Sequence, residues 1–196
     1  ISLLLSIFII KSLNVSFLIN TILVTSAFYL FFITSKDFLT YKFKNLSQNL
    51  AHFGFSLLIL SILFNNILST EIIANLKIGE TLETEKFKIY FESIDKKNEK
   101  NFQSIVGKFK IKNINDDIEI LNPELRIYNQ PNIVTSEADI KTNLLKDRFM
   151  TMNLVQNQEY FNIRYQIKPF MVWIWFSVLL ISFGGLISLF KKKYEN

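Results

Sequence analysis

The sequence predicts an integral membrane α-helical bundle, three full spans plus a truncated one, with an inserted extracytoplasmic antiparallel β domain. Three observations carry this. The apolar residues concentrate at the two ends of the 196-residue chain, and the charged ones lie mostly in the middle. The ends hold uncharged runs of about 20 residues, the length that crosses a bilayer. The middle holds short runs that alternate apolar and polar, the mark of half-buried strands.

Residues 1–13 open with ISLLLSIFII, apolar but short, and close on a polar break. This reads as the tail of a span. The chain begins at Ile1 inside an apolar run, so it is expected to be a piece of a longer polypeptide or a mature segment. Residues 14–34 contain VSFLINTILVTSAFYLFFIT, a full span. Its Ser, Thr and Asn side chains can bond the helix backbone or a neighbouring helix. Residues 35–47 read as a short basic loop, with Tyr41 and Phe43 spaced like interfacial aromatics. Residues 48–68 form the next span, and it carries His52, the one histidine of the chain.

Residues 69–167 read as a solvated β-rich domain. Alternating runs predict strands at 87–91, 105–112, 118–121, 124–128 and 160–167. Residues 77–80 (KIGE) and 122–123 predict turns. Residues 136–145 predict a short helix, with Ser136 and Asp139 near its start. Residues 168–190 are the last span. Trp173 and Trp175 lie near its outer end, where indoles favour the headgroup zone. Gly184 and Gly185 permit tight packing further along, and Lys191 to Lys193 begin a basic tail, residues 191–196.

Charge sets the orientation. Cations and acids balance inside the central block. The net excess of +5 comes from Lys11, Lys36, Lys42, Lys44 and Lys191 to Lys193 against Asp37 and Glu195. Basic residues at span ends point inward in the membrane sense and do not suggest nucleic-acid binding. The loop at 35–47 and the tail are then cytoplasmic, and the central block faces outward. That places it in the periplasm of a bacterial inner-membrane protein, or in the intermembrane space of a mitochondrial one. Lys11 is the one short-loop cation on the wrong side.

Composition excludes several chemistries within the chain. With no Cys, there is no disulfide, zinc-thiolate, iron–sulfur or thiol-redox site. A single His cannot build an all-histidine metal site. The central block has no Gly-rich phosphate loop and no catalytic constellation. What remains is His52. An ionisable group inside a span is costly, and it usually marks a ligand, a partner or a wet cavity. The other reading is a neutral imidazole bonded to a neighbouring helix. Ala51 and Gly54 beside it leave room for a helix or a planar ligand.

Three ordered stretches resemble one known family. NLAHFG at 49–54 is similar to the LAHxG motif in a late membrane helix of the CcmF haem lyase family of cytochrome c maturation, the CcmF/NrfE group. RYQIKPFMVWIW at 164–175, followed by Gly184 and Gly185, resembles that family's final-helix entrance. Between them, IGE at 78–80, PELRIY at 123–128 and TSEADI at 135–140 resemble its outer domain. The likeness covers roughly residues 14–193.

The resemblance implies a role for each part. His52 would be one axial ligand of haem b, and so a ligand to the haem iron. Gly54 would leave space beside the haem. The second axial histidine and the tryptophan-rich outer segment would belong to a part of the protein not in this chain. Arg126, Glu137, Arg164 and Lys168 are candidates for contact with haem propionates or a partner. The implied partners are the haem chaperone CcmE, a CcmH-type apocytochrome-handling subunit and apocytochrome c, with quinol as electron donor. The reaction joins haem vinyl groups to substrate cysteines, consistent with the lack of Cys here. The chain alone, the carboxy-terminal third or so, is expected to be inactive. Two alternatives stay open on the sequence: a non-catalytic membrane assembly or interaction protein, and a ResB-type cytochrome c maturation subunit.

Overall fold

The fold is described from a computed structural model covering residues 1–13, 17–41, 45–113, 118–155 and 159–194. The chain divides into two compact units. One holds residues 1–69, 143–146 and 169–196; the other holds 70–142 and 147–168.

The first unit is helical: α1 (Ser2–Leu13), α2 (Phe17–Tyr41), α3 (Leu46–Leu68) and α4 (Met171–Tyr194). Three stretches are long and apolar enough to cross a membrane: Leu18–Thr40, Leu46–Leu68 and Met171–Phe190. Each helix packs on the next. Their contacts use hydroxyls and missing side chains rather than bulk. Thr34 Oγ1 and Ser56 Oγ share a hydrogen bond of 2.7 Å between α2 and α3. Ser47 donates to the Gly184 carbonyl at 2.8 Å between α3 and α4. A Cβ on Gly184 would lie 2.8 Å from the Ser47 carbonyl oxygen and 2.9 Å from the Ala51 nitrogen. Gly184 is therefore what brings these backbones together, whereas Gly185 meets nothing within 4 Å.

One expectation needs correction here. Residues 35–41, expected in the basic loop, continue α2 as helix. No Gly or Pro interrupts them, and Phe38 stacks on Phe53 of α3 at 5.5 Å. Helix-compatible residues with a packing partner extend the helix past the end of the hydrophobic run. Lys42, Phe43 and Lys44 lie outside the described residues, as does the side chain of Tyr41. At the other end, α4 continues through Lys191 to Lys193.

The second unit is a β sandwich. One sheet has the order β1 (Thr70–Leu76), β10 (Phe161–Pro169), β9 (Lys146–Leu154), β8 (Asp139–Thr142). The other runs β2 (Thr81–Glu83), β3 (Phe87–Asn98), β4 (Phe102–Asn113), β6 (Glu124–Asn129), β7 (Asn132–Glu137), with β5 (Ile118–Leu121) also on β4. Alternate residues of both sheets fill the core: Phe87, Ile89, Phe91, Phe109, Ile111 and Leu125 meet Met150, Met152, Ile163 and Tyr165. Phe91 and Phe109 are cross-strand partners with stacked rings, centroids 4.2 Å apart. A register shift between Phe91 and Ser93 releases Glu92. It pairs with Lys108 and Lys110. Gly79, at φ +88°, makes the expected turn after β1.

The expected helix at 136–145 is instead the end of β7, the strand β8 and a tight turn. The residues read as helix starters serve the sandwich. Ser136 donates to the Met152 carbonyl at 2.7 Å, and an Asp139 oxygen accepts the Asn122 N–H at 2.6 Å. Both groups bridge strands where a helix would have used them as caps. The alternation missed β1, β2, β7, β8 and β9. In β9 the core residues are methionines between charged and polar neighbours, a weak strand signal.

Candidate functional site

α3 has a buried and an exposed side. Asn49, Gly54, Ser56, Leu60 and Ser61 are buried. Gln48, His52, Phe55, Ile62 and Asn66 are exposed and recur at helical spacing, so they form one stripe. His52 sits on that stripe, away from α4. Among the described residues its imidazole has no hydrogen-bond partner.

Gly54 lies two residues on, about 200° around the helix. A Cβ there would be 3.0 Å from side-chain atoms of Leu180 and Ile181. The space it leaves is taken by α4, which corrects the expectation that it opens beside a planar ligand. Ala51 likewise packs against Gly184.

Asn49 was not singled out in the sequence. It is 8% exposed, and its amide nitrogen has no partner among the described residues. The available signal was its place inside NLAHFG, three residues before His52 and so on a neighbouring face of the helix.

The outer-domain cations do not form one cluster. Arg126 stands on β6. Its Nε and Nη2 donate to the two carboxylate oxygens of Glu124 at 3.0 and 3.1 Å. Glu137 lies 3.9 Å from Nη1, and the guanidinium sits 5.2 Å from the Phe102 ring centre. The Glu124 bond pushes the Arg126 pKa further up and pulls that of Glu124 down. Glu124 thus occupies the Nε and one Nη2 donor of the guanidinium.

Arg164 and Lys168 stand on β10, in the other sheet. Arg164 donates to Glu71 of β1. This bond holds the Glu71 carboxyl below the usual glutamate range. Glu71 faces Gln166 in register, so Arg164 and Lys168 flank it on the same outward face. Among the described residues Lys168 makes no ion pair.

Inside the sandwich the sequence also missed a nearly buried ion pair. Arg148 Nη1 donates to Glu119 at 2.5 Å, with side chains only 16% and 13% exposed. Arg148 Nε and the Tyr165 hydroxyl are buried without hydrogen-bond partners among the described residues. Burial is the main cause that pushes the Tyr165 phenol up to about 12.

No group of three or more His, Asp or Glu side chains able to hold a metal ion occurs among the described residues. Among the described residues His52 presents an imidazole without a hydrogen-bond partner on the exposed stripe of α3.

A membrane-helix bundle with an intervening β sandwich and a lone outward histidine defines a class of membrane protein. The family model "CcmF C-terminal beta-sandwich" matches residues 67–169, and the chain belongs to the CcmF family of cytochrome c-type biogenesis proteins. That match decides against the ResB type. The cytochrome c-type biogenesis protein CcmF of Pseudomonas fluorescens is 28% identical over 148 residues, 76% of this chain and 22% of that protein. NrfE of Haemophilus influenzae is 24% identical over 179 residues, 89% of this chain and 28% of that protein. A solved structure, "Cytochrome c Heme Lyase CcmF", shares the fold with a TM-score of 0.66 at 17% identity, over 94% of this chain and 32% of that one. The chain thus spans a quarter or so of the length of these relatives.

Proposed function

We propose that this chain is the carboxy-terminal part of a CcmF-type haem lyase and that His52 supplies one axial ligand of a membrane b-type haem. The carrying observation is the placement of His52: an imidazole on an exposed helix face, without a hydrogen-bond partner among the described residues, in the NLAHFG stretch. His52 would act as a neutral ligand through one ring nitrogen. Its other N–H would need an acceptor outside this chain, which would set tautomer and basicity. A haem held by His52 and a second histidine would supply one-electron transfer.

The cytoplasmic and outward assignments follow from the lysine distribution, with the sandwich in the periplasm or intermembrane space. The partners would be CcmE, a CcmH-type subunit and apocytochrome c, with quinol donating electrons. In the assembled lyase, His52→Ala is expected to abolish the b-type band in the dithionite-minus-oxidised spectrum. Normal b-haem absorbance in that variant would sink the ligand assignment.

The sandwich would support the haem-transfer site from its β10 face. Lys168 is the candidate there, because Arg126 and Arg164 already hold carboxylates. Lys168→Ala should lower the yield of haem-attached cytochrome c, and Lys168→Arg should restore it. Unchanged yield in Lys168→Ala would leave the sandwich face without this role.

A further inference from the structure

The three residues between β8 and β9 and the first residue of β9 belong with the helices rather than with the sandwich: Asn143, Leu144 and Leu145, then Lys146. Their backbone is tied at every turn. The Asn143 side-chain oxygen accepts the N–H groups of Leu145 and Lys146 at 3.0 and 2.8 Å. The Asn143 N–H donates to the Lys146 carbonyl at 3.1 Å. The Leu144 carbonyl accepts Trp173 Nε1 at 2.8 Å. The Leu145 carbonyl accepts the N–H of Phe170 at 2.9 Å, and Phe170 is itself in the left-handed region at φ +61°.

All this polar bonding leaves two leucine side chains outside. Leu144 is 70% exposed and Leu145 66%. Among the described residues of the strands and the loops that join them, no large apolar side chain is more exposed than Leu144. A flexible loop in water would fold such side chains inward, because burial of apolar surface is favourable. This loop holds them out.

Its neighbours say what they meet. Trp173 lies in the first turn of α4, the start of the membrane-length stretch Met171–Phe190. Trp173 and Phe176 form an edge-to-face pair, and Trp175 beside them is 65% exposed. Indoles at a span end mark the level where headgroups meet acyl chains. The leucine tip is hydrogen-bonded to that level. Lys146 follows the tip, a long cation of the kind that reaches lipid phosphates at interfaces.

We infer that Leu144 and Leu145 insert into the leaflet entered by the start of α4. They form an interfacial anchor whose ligand is phospholipid at the headgroup–acyl boundary. The anchor and the indole of Trp173 act as one device that sets the depth of the α4 entrance. This rests on α4 being a membrane span.

The chain has no Cys, so single cysteines report without background. The full chain is reconstituted in phospholipid nanodiscs, with Leu144→Cys, Leu145→Cys, Ile78→Cys and Leu179→Cys each carrying an environment-sensitive fluorophore. Ile78 is the exposed turn of the sandwich, and Leu179 is an exposed position within α4. The tip labels should emit further to the blue than Ile78. A nitroxide carried high on the lipid chain should quench them more than one carried near its end, and Leu179 should show the reverse order. Two results at both tip positions overturn the anchor: quenching by soluble iodide as strong as at Ile78 with no effect of lipid nitroxides, or shielding from both quenchers, which means protein covers the tip. Failure of lipid quenching at Leu179 as well would instead overturn the span reading on which the anchor rests.

Discussion

The two units of this chain are built inside out relative to each other. In the helical unit, Ser6, Thr34, Ser56, Ser61 and Ser177 are buried, and Phe8, Leu18, Phe55, Leu179 and Phe183 are exposed. In the sandwich the phenylalanines, isoleucines and methionines are inside, and ion pairs such as Lys88–Glu83 and Arg164–Glu71 lie at its surface. One rule explains both. Apolar surface avoids water, so a unit in water hides it. A unit in lipid gains nothing by hiding it and packs instead through small groups and hydrogen bonds.

The contrast breaks first where the sandwich depends on volume. Phe91 is fully buried and stacked on Phe109. Phe91→Ala should cost about 3–5 kcal/mol, as truncation of a buried aromatic does. Limited proteolysis of the reconstituted chain would check it: cleavage within residues 70–142 should rise sharply and cleavage in the helices should not. Equal protection in variant and parent would mean that the sandwich does not rely on this core.

The helical unit should break in the opposite way, by added volume. Gly184→Val places atoms where the Ser47 carbonyl and the Ala51 backbone lie. Overpacking of that kind costs roughly 1–3 kcal/mol. Gly185→Ala meets nothing within 4 Å and should be neutral. Thermal melts of the two variants in the same detergent test the pair, and equal melting temperatures would refute the close α3–α4 approach.

The smallest expected effect sharpens the surface side of the comparison. The Arg164 bond lowers the Glu71 pKa in the folded chain. Its contribution is therefore fully present above the unfolded glutamate value near 4.3 and is lost as pH falls through the lower folded value. Exposed pairs contribute little, so Glu71→Gln should destabilise slightly at neutral pH. The gap to the parent should close in acid. A gap that stays constant across the titration would show that the carboxylate charge is not what acts.

Much of the architecture was legible in the residues. Hydrophobic runs located three spans because a membrane helix must keep a long stretch apolar. Five runs in the middle alternated clearly enough to be read as strands, and all five contribute residues to the buried core. The strand β8 and the end of β7 were misread because Ser136 and Asp139 make the same kind of local bond in a helix cap and in a strand bridge. The pair Arg148–Glu119 was unreadable because its partners are far apart in sequence and only the β5–β8 side of the sandwich brings them near. For the candidate site, NLAHFG drew attention to His52, while Asn49 passed as an ordinary polar neighbour.

By itself the sequence determined the class of the molecule, since length, hydropathy and alternation each act locally along the chain. It also determined that His52 cannot complete a metal site alone, because the chain holds no second histidine and no cysteine. Only the tertiary structure decided which face His52 occupies and that Gly54 serves α4. It alone separated Arg126 from Lys168 and fixed Leu144 and Leu145 outward. Those facts depend on helix rotation, strand register and hydrogen bonds between distant residues, and none of these is written in any single stretch of the chain.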